Sequence, residues 1–271
     1  MDFAFDETQE ELRRTVRAFL QEHSPEAEVR RTLDSETGFD QALWRRLGGE
    51  LGLQGLAIPE EYGGAGAGVV EVGLVLEEMG RALLCAPYLS SAVLATTTLL
   101  LSDDEQARKR LLPGLAAGEL VATLALTEDS ARWDRDGVTL AARPVTDRWW
   151  LTGHKCFVLD GTAADVLLTV ARTPDDGIGV FLVDADAIGL TRTPLPTLDP
   201  TRRQARLEYD GVAAERLRLR GDGWGLVSLV LDRAAAALAA GQPLTAGGIE
   251  MRLVKPAWAQ FAWPGEAKAA Q

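Results

Sequence analysis

The side chains in this sequence best suited to chemistry are few and scattered. Thr127 and Glu128 follow the apolar run from Val121 to Leu126, so a hydroxyl and a carboxylate stand together where a buried strand would end. Glu128 is a candidate for acid–base work; a structural carboxylate is the competing reading, and the favoured one. His23 and His154 lie far apart in sequence with no triad or metal partner in view, and both read as surface or hydrogen-bonded polar residues. Cys85 and Cys156 are equally distant and fit no metal or redox spacing. The pair Arg202–Arg203 is a local basic site able to take an anionic ligand, although a solvated turn is the plainer reading. Phe157 and Trp133 read equally well as packing residues and as aromatic walls of a pocket. No catalytic residue and no metal ligand is assigned from these types and spacings.

The background that must position them is that of a soluble globular protein. The 271 residues are enough for two ordinary domains, and 46% hydrophobic with 25% charged residues supports a sizeable core. With 28 Lys+Arg against 40 Asp+Glu the formal charge is −12, which argues against nonspecific nucleic-acid binding. The amino terminus has neither a basic region nor a long apolar stretch, so it does not read as a signal peptide. The most apolar run, Leu226 to Ala240, is short and interrupted by Asp232 and Arg233, so no membrane span is expected. Two unpaired cysteines complete the expectation of a reduced, cytoplasmic protein.

Periodicity divides the chain into three parts. The first is helical: Asp6 is a candidate cap before Leu12, Val16, Phe19 and Leu20, and Leu43, Leu47 and Leu51 mark a second helix between Asp40 and Leu53. After the glycine punctuation of Pro59 to Gly66 comes an apolar stripe from Val69 to Met79, then helical stretches about Tyr88–Leu101 and Asp104–Ala116. Near Gly118 the period changes. Val121 to Leu126, Val138 to Val145, Trp149 to Leu159, Val166 to Val170, Ile178 to Val183 and Gln204 to Asp210 read as short strands of a small β-barrel or sandwich. Helical spacing returns at Trp224 and breaks at Gly241, and the last thirty residues show no sustained period. The expected fold is α+β: residues 1–118 a helical domain, 119–222 a β domain, and 223–271 a remnant helix with an irregular tail.

That order, and five local motifs within it, resembles the acyl-CoA dehydrogenase family from about residue 1 to 240. The loop Gly55–Gly66, the segment Leu126-Thr127-Glu128, the run Trp150 to Val158 followed by Ala164-Asp165-Val166, and Arg206 to Val212 look like family segments in their family order. The resemblance implies FAD as cofactor and an acyl-CoA thioester as substrate. It implies flavin contacts at Leu126, Thr127, Phe157 and Leu159, and substrate contacts at Trp133 and Asp134.

The departures from the family pattern are specific. After Thr127-Glu128 the family usually continues Pro-x-x-Gly-Ser-Asp, whereas this chain has Asp129-Ser130-Ala131-Arg132-Trp133-Asp134. Trp133 replaces the serine, and the β-carbon at Arg132 is expected to alter a turn that glycine makes easily. Phe157 stands where Trp is commoner, and Leu159 where a flavin-bonding Thr is usual. FAD binding is therefore expected to be weakened or lost. No stretch after Ala240 matches the segments that carry the family's catalytic base, and Glu250 and Glu266 lie in no matching motif.

The expected function is α,β-dehydrogenation of an acyl-CoA, fatty or steroid, by a carboxy-terminally truncated flavoprotein that is impaired or inactive alone. If active, it passes electrons to an external acceptor. The apolar stripe Leu226–Leu231 implies homo- or hetero-oligomer formation through the carboxy-terminal helix. The alternatives are a noncatalytic subunit bound to a complete homologue, a gene product whose residues 241–271 come from a shifted reading frame, and a flavin monooxygenase of the same fold.

Overall fold

The computed structural model describes residues 5–175 and 177–240, together with the backbone of two short strands beyond them. Helix α1 (Glu7–His23) starts at Asp6 with a reciprocal cap: Gln9 N donates to Asp6 Oδ1, and Asp6 N donates to Gln9 Oε1. α2 (Glu26–Leu33) follows Pro25, and α3 (Gln41–Gly49) is capped by Asp40. Two 3-10 turns, Leu53–Gly55 and Glu60–Tyr62, lead to α4 (Val69–Arg81). The glycine punctuation there is sterically required at Gly64, where a Cβ would lie 2.0 Å from Ile58 O. A π-helix over Tyr88–Ala95 runs into α5 (Thr96–Leu101), and α6 (Glu105–Ala116) starts at the Asp104 cap. α1 lies on α4 through Gln9–Glu71 at 2.7 Å, Arg13–Glu77 at 2.8 Å and Arg17–Glu78 at 2.6 Å.

The strands are β1 (Ala122–Ala125), β2 (Ala141–Val145), β3 (Arg148–Leu159), β4 (Val166–Arg172), β5 (Ile178–Asp184), β6 (Leu190–Leu195) and β7 (Gln204–Arg216). They form one seven-stranded sheet whose pairings close. β4 joins β5, β5 joins β7, β7 joins β3, β3 joins β2, and β2 returns to β4. The expected barrel is therefore present. β1 lies parallel to β4, and β6, which periodicity does not reveal, lines the outer edge of β7. β4 is buried on both faces. Leu167 and Ala171 belong to a cluster with Phe181, Leu207 and Tyr209, while Val166, Leu168 and Val170 belong to a second one that includes Leu111 and Leu115 of α6. Two-sided burial explains an apolar run interrupted only by Thr169, whose hydroxyl meets that of Tyr209 at 2.9 Å.

α7 (Gly223–Ala240) packs Val227, Val230, Ala234 and Ala237 inward, with α4 among its neighbours. Beyond it β8 (Pro243–Ala246) and β9 (Ile249–Arg252) pair antiparallel, which corrects the irregular tail expected at those positions. The rest of 241–271, including Glu266, lies outside the described residues. No described helix is long and apolar enough to cross a membrane.

Two polar seams join the helices to the barrel. Asp104, 3% exposed, accepts from Arg218 N at 3.1 Å and pairs with Arg218 Nη2 at 2.9 Å. Arg202 Nη1 donates to Leu84 O at 2.7 Å, and Arg203 Nη2 donates to Leu33 O at 2.8 Å and Ser35 O at 2.6 Å. The basic pair lies at a half-exposed turn, as the plainer reading had it, and both guanidiniums donate to carbonyls of the helical layer.

Candidate functional site

Thr127 stands two residues past the end of β1, beside an interruption in β3. The β3–β7 register shifts between Lys155 and Val158, so Cys156 and Phe157 occupy a bulge without ladder partners. Bonds to the neighbouring segment hold them instead. Cys156 N donates to Thr127 O at 2.8 Å, and Thr127 Oγ1 donates to Cys156 O at 2.6 Å. Thr123 Oγ1 donates to Leu159 O at 2.7 Å. Phe157 has φ +59° and Asp160 φ +51°, left-handed conformations that cost a non-glycine residue about 1–2 kcal/mol each. The surrounding bonds offset that cost.

The structure brings Leu126, Thr127, Phe157 and Leu159 to one place, where the 123–128 segment runs beside the end of β3. Thr127 is buried, while Phe157 and Leu159 are half-buried. Trp133 and Asp134 have other commitments. Trp133 is half-buried against the apolar cluster that includes Val138 and Leu168. Asp134 is exposed; it accepts from Gly137 N at 2.9 Å and pairs with Arg132 at 2.9 Å. The left-handed residue of this turn is Ala131 (φ +53°), one position before Arg132, so the turn is made without the glycine.

Beneath the wall lies a charge pair that motif and spacing did not single out. Glu128 and Lys155 meet at 2.8 Å, both buried. Lys155 Nζ also donates to Leu126 O at 2.8 Å, and Glu128 accepts from Thr139 N, Leu140 N and the Thr139 hydroxyl. Burial pulls Lys155 down to about 8 even though Glu128 opposes it. Burial works against the Glu128 carboxylate as well, yet Lys155 and the Thr139 and Leu140 donors hold it below its ordinary range. A carboxylate so fully bonded is structural, as favoured above. Strand alternation carried a signal for the pair: counting by twos from buried Leu151 puts Lys155 on the inward face, where an ammonium needs a partner.

Nearer the surface, Asp129 pairs with Arg206 and lies 3.0 Å from His154 Nε2, while Arg206 reaches Glu208 at 3.2 Å. The Arg206 hydrogen bond holds Asp129 below the usual carboxylate range. His154 therefore has a carboxylate neighbour. His23 stacks edge-on to Phe19 and meets Arg46 at 3.2 Å. Among the described residues no His, Cys, Asp and Glu gather as a metal site.

A flat, largely apolar ring is compatible with the half-exposed Phe157 and the backbone beside Thr127. The polar complement is thinner. The Thr127 proton goes to Cys156 O, which leaves that hydroxyl only lone pairs to offer, and Leu159 has no hydroxyl at all. The wall fits an isoalloxazine in shape and meets its hydrogen-bonding edge incompletely.

Comparison with known proteins agrees in order and extent. Residues 6–119 match the acyl-CoA dehydrogenase N-terminal domain, and residues 123–212 match the acyl-CoA dehydrogenase middle domain. The chain is 34% identical over 222 residues to acyl-CoA dehydrogenase FadE12 of Mycobacterium tuberculosis, covering 78% of this chain and 56% of that one. It superposes on a steroid ACAD variant with TM-score 0.75 and 34% identity, covering 87% of this chain and 62% of the other. A glutaryl-CoA dehydrogenase from Mycobacterium smegmatis in complex with FADH2 gives TM-score 0.80 at 26% identity, with coverage of 88% and 62%. The chain thus spans a little over half the length of the curated relative.

Proposed function

On the premise that this chain belongs to the acyl-CoA dehydrogenase family, we propose that it supplies the flavin-facing wall for α,β-dehydrogenation of an acyl-CoA thioester, with FAD held weakly and little or no turnover by this polypeptide alone. The observation that carries the reading is the stitching of Thr127 to Cys156, which presents Phe157 beside the backbone of the 126–128 segment. Thr127 and the backbone at Leu126 hold the polar edge of the ring, Phe157 packs on its face, and Leu159 contributes apolar contact only. When bound, FAD accepts the hydride from the substrate β-carbon. Removal of the α-proton needs a free carboxylate or equivalent base. Beside this wall Glu128 is bound to Lys155, Thr139 and Leu140, and Asp129 to Arg206, so neither serves.

The likeness to a steroid ACAD variant supports testing a steroid-derived acyl-CoA beside a fatty one. Absorption spectra of the purified chain with and without added FAD, followed by turnover of both thioesters with an artificial electron acceptor, decide between these outcomes. The expected result is a weak, saturable flavin spectrum and no turnover above background. A tightly held yellow flavin with turnover would refute weak binding and inactivity, and absence of any FAD interaction at millimolar concentration would refute the wall.

A second reading is favoured by α7. Its outward side carries exposed Leu229, Ala235 and Ala236 together with exposed Asp232 and Arg233, a mixed face on which another helical layer can pack around one charge of each sign. A noncatalytic subunit associated with a complete homologue would use this face and need no base of its own. Co-expression with such a homologue and recovery at fixed stoichiometry supports it; independent elution of the two chains rejects it.

A further inference from the structure

Trp150 of β3 is 43% exposed, whereas every other tryptophan among the described residues is buried or half-buried. Its setting is built by the backbone. Leu151 is buried inside the barrel, so alternation turns Trp150 to the outer face. The β3–β7 register shifts between Leu151 and Thr152, which leaves Gly211 as an extra residue in β7, with φ +59°. A Cβ at Gly211 would lie 3.2 Å from Trp150 Cε3, so glycine lets the indole settle against β7.

Charges of both signs surround the ring. Arg143 of β2 stands directly opposite Trp150, Arg148 precedes it by two residues on the same face, and Asp210 adjoins the bulge on β7. All three are exposed, and among the described residues none of them forms an ion pair or side-chain hydrogen bond. The neighbouring carboxylates are Asp147, in the hairpin turn, and Glu215, next in register to Arg148 and already taken by Arg110 at 2.7 Å. The two guanidiniums lie toward β2 and the turn, and the Asp210 carboxylate lies past the indole on β7, so they do not meet within one chain.

We propose that this face is a self-association surface: a second copy of this chain packs on it face to face, with the two Trp150 rings beside the twofold axis and Arg143 and Arg148 of each copy against Asp210 of the partner subunit. Charge complementarity names the occupant. A face with unmet charges of opposite sign on the two flanks of an apolar centre complements itself, and a twofold makes each contact twice. The chain carries −12 overall, so copies repel except where cations stand unpaired, and this face supplies two. Tryptophan and arginine are also the side chains that dominate interface energies, and the outer wall of a barrel is convex where a small ligand would need a cleft. The contact involves neither the flavin wall nor α7, so it stands whether or not the function proposed above does.

Sedimentation velocity on the full chain without FAD, from micromolar to several hundred micromolar, tests this. The expected result is a monomer–dimer equilibrium that weakens about three- to tenfold as salt is raised from about 0.1 to about 0.5 M. Arg143→Glu and Asp210→Arg each set like charges together twice and should weaken the dimer by about tenfold or more. Mixing these two variants should restore it as a heterodimer, because each supplies the sign the other lacks. Trp150→Ser should also dissociate the dimer; if that variant folds poorly, the charge pair decides alone. Leu229→Glu, on α7, should leave the equilibrium unchanged. A chain that stays monomeric throughout, a dimer that keeps its strength in both charge variants, a mixture no tighter than its components, or dissociation by Leu229→Glu overturns the proposal.

Discussion

Lys155 is a fully buried ammonium, and removing its counter-charge leaves it uncompensated. Glu128→Gln is expected to cost about 3–5 kcal/mol in urea unfolding. Combining Glu128→Gln with Lys155→Met should recover most of that loss, because the glutamine oxygen still accepts from Thr139 N and Leu140 N while the cation is gone. A double variant as unstable as the single would show that the pair is not what matters here. The opposite kind of test, a gain, belongs to Leu159. It lies at the wall with an apolar side chain where a hydroxyl would complete the polar edge. Leu159→Thr should tighten FAD by about two- to tenfold, the net worth of one hydrogen bond. Fluorescence titration reads this directly, and unchanged affinity would place the ring elsewhere. Thr127 and Phe157 could be singled out from the sequence because the motifs around them are contiguous. Asp160 could not, because its partner Ser90 lies on the π-helix, far away along the chain, and only the fold brings the two together.

At the level of elements, what could be read depended on whether the signal was local. Asp6 marked the start of α1 because a cap is chemistry between neighbours. The strands of the barrel wall announced themselves by apolar runs. β6 did not: Leu190-Thr-Arg-Thr-Pro-Leu is a half-exposed edge strand containing a proline, so it carries neither an apolar run nor a strict alternation. The π-helix was legible as helix only, since no side-chain pattern distinguishes its wider turn in advance. The α1–α4 contact was also hidden, although its charges were in plain view. There Glu78, 0% exposed, is opposed by its burial and held ionised by Arg17 and Arg81, with its pKa lowered on balance. A depressed carboxylate stabilises the fold fully above its unfolded value of 4.5 and loses that contribution as pH falls through the lower folded value. The wild-type melting temperature should therefore drop steeply below about pH 4.5, and Glu78→Gln, already less stable at pH 7, should show a shallower acid limb. Parallel acid limbs in the two proteins would mean that Glu78 does not set the acid limit.

Across the whole molecule, the question is whether helices and barrel unfold as one body. The apolar joint between them is extensive, since Val166, Leu168 and Val170 of β4 belong to one buried cluster with Leu111, Leu112 and Leu115 of α6. The far end of the joint depends on Arg203 instead. Its guanidinium holds the carbonyls of Leu33 and Ser35 in the connection between α2 and α3, and it crosses Gly38, where a Cβ would lie 2.3 Å from Arg203 Nε. Gly38 has φ +75°, so glycine there serves both the turn and the arginine's passage. Arg203→Met keeps the aliphatic stem and removes the donors, at an expected cost of about 2–3 kcal/mol for the charged bonds. Gly38→Ala should reproduce part of that loss by displacing the same guanidinium. Because the apolar joint through α6 remains, neither variant should split the calorimetric transition. Both should instead raise hydrogen exchange selectively in residues 33–40 while β4 stays protected. A split transition in Arg203→Met would mean that this single side chain, rather than the apolar face of β4, makes the two layers cooperative.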